Sequence, residues 1–302
     1  MNEAGPSPHN PRVSVICIFY QAERYFREAI ESVLDQDFKN YELLLVDDGS
    51  TDESTAMAKA YCASDPARIH YSEHAGHANR GMSATGNLGL KQGRGEYIAF
   101  IDADDRWRPT KLSEQVALLA AMPDVDAVCG ATNYWRSHAG GGDELVPTGH
   151  AFNRPVRPPE ALLKLYPLGS ADPPCPSDLM IRSAAIDSVG GFEESFTGPM
   201  QLYEDQAFLT KFYLQRTIYF SDRVWLDYRL HDESCTSWVH RQGLGPEVRG
   251  RCLAWFEAYL AASPYRFDPR IRLALMRRLR PYRHPRITRA GRLVNSLLRR
   301  VA

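Results

Sequence analysis

The chain has no C-x-x-C pair. Its six cysteines, Cys17, Cys62, Cys129, Cys175, Cys235 and Cys252, are widely spaced, which argues against a zinc clamp and a disulfide scaffold. Reduced thiols in a cytoplasmic setting are therefore expected. Long apolar runs are also missing. Nothing approaches the ~20 residues that a bilayer span needs, and the opening MNEAGPSPHNPR lacks the apolar core of a secretory signal. What remains is a protein in solution or peripheral on the inner face of a membrane. A net charge of -1 selects no partner. Internal repeats are absent. Acid is missing from one region: from Arg266 to the end, Asp268 is the one acidic residue.

Against these absences stands a regular rhythm. Residues 1–11 are polar, carry three prolines and read as a disordered lead-in. Val13 to Phe19 is an almost wholly apolar run, as in a strand buried on both faces. A helix is predicted over Glu23–Leu34, then a buried strand over Tyr41–Val46. A helix near Glu53–Cys62, a strand at Arg68–Ser72, a helix near Met82–Gln92 and a strand at Glu96–Ile101 follow. This alternation predicts an α/β fold with a mostly parallel sheet flanked by helices, whose ligands bind beyond the carboxyl ends of the strands. A helix near Pro109–Ala121 leads to a strand at Ala127–Ala131. The Gly- and Pro-rich stretch Ser137–Pro159 reads as loop, residues 160–235 as short helices and strands, and the chain beyond Gly245 as helical and basic. The expected organisation is a main domain over 12–237, divided at 107/108, with a helical basic extension over 238–302.

Two acidic clusters fall at strand ends. Asp102-Ala103-Asp104-Asp105 places three carboxylates within four residues, which repel one another unless a cation neutralises them. Hard oxygen ligands suit Mg²⁺ or Mn²⁺, which can bridge to substrate phosphates. The plainer alternative is that these aspartates only initiate the next helix. Asp47-Asp48-Gly49-Ser50 offers a second acidic edge, either to a base N–H or ribose hydroxyl, or simply as a tight turn. Tyr20, just past the first strand, either stacks on a nucleobase or merely packs.

In order along the chain these motifs resemble glycosyltransferase family 2, whose members have the GT-A (Rossmann-like) fold; the resemblance spans about residues 12–237. Pro11 to Ile16 with Tyr20 is similar to the family's opening strand and base-stacking turn, and Ala29 to Gln36 to its first helix. Leu45 to Asp52 is similar to its nucleotide-binding strand end, Gly95 to Asp105 to its D-x-D strand. Val189-Gly190-Gly191-Phe192 with Glu204-Asp205 resembles the acceptor-side segment, and Tyr228-Arg229-Leu230-His231 with Ser234 the closing motif. The resemblance implies an inverting transfer from a nucleotide-sugar donor, a UDP-sugar by default, to an acceptor hydroxyl of a glycan or lipid-linked molecule. It implies Asp205 as the general base, Asp48 against the base, and Asp102 and Asp104 at a divalent metal, with His231 as a further ligand or a donor to phosphate. On its own Glu204-Asp205 reads as an acidic pair at a helix N-terminus, and His231 as a structural histidine.

One departure stands out. Where the family commonly reads S-A-A-R-N-x-G, this chain has Ser83-Ala84-Thr85-Gly86-Asn87-Leu88-Gly89. The cation that would face the donor is missing unless Arg80 reaches in from the preceding loop. This is the one feature favouring a non-catalytic nucleotide-sugar-binding module over an enzyme. A nucleotidyltransferase is disfavoured because Phe19-Tyr20-Gln21-Ala22 is no Gly-rich phosphate loop. In the tail, Leu273, Leu275, Met276 and Leu279, then Leu293, Val294, Leu297 and Leu298, recur at helical spacing among arginines. Such helices either lie on an anionic membrane surface or pack on the domain with their arginines solvated. Nucleic-acid binding is not expected, since the rest of the chain offers no basic reading surface.

Overall fold

The computed structural model describes residues 10–136, 142–149 and 153–284. The first half alternates β1 (Val13–Phe19), α1 (Phe26–Leu34), β2 (Tyr41–Asp47), α2 (Ser54–Ser64), β3 (Ile69–Glu73), α3 (Met82–Gln92) and β4 (Tyr97–Phe100). After it come β5 (Arg106–Trp107), α4 (Lys111–Ala121), β6 (Ala127–Trp135), β7 (Glu144–Val146), β8 (Arg154–Val156) and α5 (Glu160–Lys164). The chain continues through β9 (Met180–Arg182), α6 (Ser183–Val189), α7 (Glu204–Gln215), β10 (Ile218–Arg229), α8 (Cys235–Arg241), α9 (Gly245–Ala262) and α10 (Pro269–Arg283).

One sheet runs β3-β2-β1-β4-β9-β6-β10-β5. β3, β2, β1 and β4 are parallel neighbours, whereas β9 is antiparallel to both β4 and β6. The parallel rhythm thus covers the first half, and antiparallel pairs collect in the second. The near-continuous apolar runs follow from burial on both faces. Val13, Val15, Cys17 and Phe19 join Leu43 and Leu45 in one core layer with α1 and α4, while Ile16, Leu44, Val46, Ile98 and Phe100 join a second layer. Each such side chain contributes about 1.5–3 kcal/mol on burial, so a charge at Leu45 would breach the first layer.

Three local differences from the predicted pattern have physical causes. α1 starts at Phe26, after a turn over 23–25 that is tied to the β2–α2 connection where the Ala22 and Glu23 amides donate to Ser54 Oγ and Asp52 Oδ2 at 2.9 and 3.0 Å. Part of the expected loop over 137–159 forms β7 and β8, because β6 and β10 present edges to pair with. Pro155 is tolerated there because β8 is a three-residue strand on the sheet's margin. β10 shifts register twice between Phe220 and Leu226, a bulge that turns its end toward the other strand termini. Gly130 lies against that bulge: a Cβ there would sit 2.3 Å from the Arg223 carbonyl oxygen.

The C-terminal helices are not a loose appendage within the described residues. Leu253, Phe256 and Leu260 of α9 and Ile271, Leu275 and Leu279 of α10 share the second core layer with α5, α6 and α7.

Candidate active site

A cleft of about 810 Å³ opens at the carboxyl ends of the central strands. Its walls include Tyr20 after β1, Asp48 after β2, Asp102 and Asp104 after β4, Glu204 and Asp205 at the start of α7, and His231 after β10. Five elements remote in sequence therefore converge on one cavity, as α/β topology dictates.

The β2 end is held shut by its own hydrogen bonds. Asp47 is fully buried and accepts from the Ser50 amide at 2.8 Å and the hydroxyls of Thr55 and Tyr71 at 2.5 and 3.2 Å. Asp48 accepts from the amides of Arg80 at 2.7 Å and Gly81 at 3.0 Å, and from the Thr85 hydroxyl at 2.9 Å. Gly49 takes φ +82°, and a Cβ there would lie 2.8 Å from Asn79 N; only glycine lets the turn approach the 77–79 backbone this closely.

At the β4 end the carboxylates are crowded instead. The Asp102 amide donates to Ser177 Oγ at 2.9 Å. Burial, reinforced by the negative charge of Asp104, pushes the Asp102 carboxyl up to about 7. Asp105, nearly inaccessible, is raised for the same two reasons. It accepts from the Arg229 amide at 2.9 Å, while the Arg229 guanidinium donates to the Asp104 carbonyl at 2.7 Å. That guanidinium lies 4.4 and 4.1 Å from the ring centroids of Tyr25 and Trp135 and pairs with Glu28. Arg229 thus fixes the acidic turn through its backbone without neutralising the Asp102 side chain.

Asp104 Oδ2 lies 2.8 Å from His231 Nε2. Facing a carboxylate, Nε2 carries the proton, which leaves Nδ1 as the ring's acceptor; this buried atom has no hydrogen-bond partner. The side-chain ligand atoms of Asp102, Asp105 and Cys175 all lie within 4.8 Å of one another. That grouping offers two carboxylates and one thiol, and its carboxylate oxygens, like that of Asp104 next to it in sequence, suit Mg²⁺ or Mn²⁺.

Across the cleft, α7 begins with Glu204 and Asp205, where the helix dipole favours acid. Desolvation nonetheless raises the Asp205 carboxyl to about 6, against hydrogen bonds from Gln206 N at 2.6 Å and Nε2 at 3.0 Å. Burial, with the charges of Asp205 and Asp102, also raises the Glu204 carboxyl well above its ordinary value, and its Oε2 has no partner among the described residues. The Asp205 charge also contributes to the rise at Asp102.

Of the residues expected at the site, Tyr20, Asp48, Asp102, Asp104, Asp205 and His231 line one cleft. Asp47 does not; its oxygens are consumed inside the β2–α2 turn. Arg80 is exposed and not among the cleft residues, although Asn79 beside it is. Position 86 faces Phe192: a Cβ on Gly86 would lie 3.0 Å from Phe192 Cδ2. Cys175, Ser177 and Glu204 were not singled out from sequence. Only Glu204 carried a signal, its place beside Asp205.

The family model described as Glycosyl transferase family 2 matches residues 14–168. An uncharacterized glycosyltransferase of Rickettsia typhi is 29% identical over 238 residues, covering 76% of this chain and 67% of the relative. Among solved structures, S. aureus TarS 1–349 in complex with UDP-GlcNAc superposes with TM-score 0.68 at 22% identity, covering 90% of this chain and 73% of that one. The mannosyltransferase PcManGT from Pyrobaculum calidifontis, in complex with GDP-Man and Mn²⁺, gives 0.59 at 19% identity, covering 99% and 84%. At these identities the likeness is one of fold.

Proposed function

Because this chain belongs to glycosyltransferase family 2, we propose that it transfers a sugar from a nucleotide-sugar donor to an acceptor hydroxyl, with inversion and with Asp205 as general base. The observation that carries this reading is the placement of Asp102, Asp104 and Asp205 on one cleft. Neighbours in fold are complexed with UDP-GlcNAc and with GDP-Man and Mn²⁺, which supports a nucleoside-diphosphate donor; a UDP-sugar is our choice.

Tyr20, more than half exposed on the rim, offers its ring face to the base, and Asp48 holds the 80–81 turn that borders the same corner. Asp102 and Asp104 would hold a divalent cation, with His231 orienting Asp104; when bound, that cation offsets charge on the departing diphosphate. Asp205 accepts the proton of the acceptor hydroxyl as the acceptor oxygen bonds to the anomeric carbon. The bond from that carbon to the diphosphate oxygen breaks, and the nucleoside diphosphate leaves. A carboxyl near 6 suits this task, being ionised at neutral pH yet a stronger base than an ordinary aspartate. The acceptor is taken as a growing glycan or a lipid-linked saccharide, with the protein cytoplasmic.

The deciding experiment is donor consumption with Mn²⁺, followed for wild type and Asp205→Asn. Turnover lost in the variant with donor binding retained is expected. Binding without wild-type turnover on any donor or acceptor would instead leave a nucleotide-sugar-binding module.

A further inference from the structure

The last described helix has two faces that the sequence pattern does not separate. Ile271, Leu275 and Leu279 are buried in the core and anchor α10. Leu273 and Met276, which share its apolar periodicity, point the other way and are 44% and 54% exposed; Phe267 just before the helix is 72% exposed. The same outward side carries Arg272, Arg277 and Arg280, all exposed. Among the described residues none of these three has an ion-pair partner, whereas Arg270 and Arg283 pair with Asp268 and Glu257. Three apolar side chains set among three unpaired guanidiniums on an anchored helix form a surface that water alone serves poorly.

The charge distribution says what would cover it. From Arg266 to Ala302 there are twelve arginines and one acid, while the preceding residues hold 24 basic and 36 acidic residues. An acidic body with a basic terminal face is oriented by a negatively charged plane. Residues after His284 lie outside the described structure, and their sequence adds five arginines and no acid. We propose that the outward face of α10 docks this protein on an anionic lipid surface: Phe267, Leu273 and Met276 enter the headgroup–acyl boundary, and Arg272, Arg277 and Arg280 meet lipid phosphates. The isolated apolar side chains distinguish this partner from a nucleic acid, whose backbone rewards the arginines but not the leucine and methionine.

The test is co-sedimentation of the full chain with phosphatidylcholine vesicles and with equimolar phosphatidylcholine–phosphatidylglycerol vesicles. No donor or metal is present, so the result is independent of the transferase reading. Wild type is expected to pellet only with the anionic vesicles and to be released by high salt. Arg272→Gln/Arg277→Gln/Arg280→Gln is expected to lower the partition coefficient by roughly a hundredfold. Phe267→Ser/Leu273→Ser/Met276→Ser is expected to weaken binding at unchanged charge. Every substituted position is exposed, so unaltered thermal midpoints check that both variants fold. The proposal is overturned if wild type stays in the supernatant with anionic vesicles. It is equally overturned if either variant pellets like wild type, or if a DNA duplex is bound with losses only in the arginine variant.

Discussion

Two strand ends in this molecule carry adjacent aspartates, and they use them in opposite ways. After β2, Asp47 and Asp48 take six hydrogen bonds from amides and hydroxyls, and both are buried in a turn that those bonds create. After β4, the Ser177 hydroxyl accepts from the Asp102 amide and the Arg229 amide donates to the Asp105 carboxylate, yet burial and mutual repulsion still raise the Asp102 and Asp105 carboxyls. Acid at a strand end is therefore no signature of a ligand site by itself. Unsatisfied acid is, because a structure that has already bonded its carboxylates has nothing left to offer a cation, while one that has not carries a cost that a cation removes.

That contrast can be broken most sharply from the far side of the cleft. Asp205→Asn is expected to lower kcat by about 10²–10⁴-fold, the usual worth of a general base, with the thermal midpoint held or slightly raised, since a buried charge is lost. A kcat within a few-fold of wild type would remove Asp205 from the chemistry. Next in size is the response to Mn²⁺. At a hundred times its dissociation constant a bound ion stabilises by about 2.7 kcal/mol, and this gain is expected in wild type and in Asp47→Ala but not in Asp102→Asn or Asp104→Asn. Calorimetry showing equal gains in all four would erase the distinction between the two strand ends.

Asp47→Ala itself tests the other half of the comparison. It leaves the Ser50 amide and the Thr55 and Tyr71 hydroxyls unbonded, and a loss of about 1–3 kcal/mol in denaturant stability is expected, with kcat little changed. The pH dependence sharpens the point. A carboxyl raised in the folded chain binds its proton more tightly there, so stability contributed by Asp102 and Asp205 falls as pH rises from about 4 through their folded values of about 7 and 6. Mn²⁺ is accordingly expected to raise the thermal midpoint more at about pH 8 than at about pH 5, and kcat/KM to rise across the Asp205 limb near 6. A Mn²⁺ effect that shrinks with pH would contradict the under-neutralised cluster. Smallest of all, Arg80→Ala is expected to change donor KM by no more than about twofold, the range of a surface change of some 0.5 kcal/mol. A larger change would mean that Arg80 does reach the donor.

The first half of the chain was legible in sequence nearly to the residue. α3 runs over Met82–Gln92 as the pattern predicts, and β1 over Val13–Phe19, because strands buried on both faces must be apolar throughout and their neighbours must be helices. The second half was less legible. β7, β8 and β5 are two- or three-residue strands that exist only because β6 and β10 offer them an edge, and so short a segment has no periodicity of its own. In the described part of the tail, Leu275 and Leu279 go to the core while Leu273 and Met276 go outward; Leu293, Val294, Leu297 and Leu298 lie outside the described residues.

The sequence by itself determined the α/β rhythm, the order of the motifs, and which acidic residues lie at strand ends. These follow from local periodicity and from a chain that must bury its apolar runs. Only the tertiary structure decided that Asp102 and Asp205, 103 positions apart, share one desolvated cavity, and that Asp47 is bonded away from it. Only there is Gly86 seen to face Phe192 rather than a donor-binding cation. Charge state and ligand availability depend on what lies within a few ångströms in space, and chain separation carries no information about that.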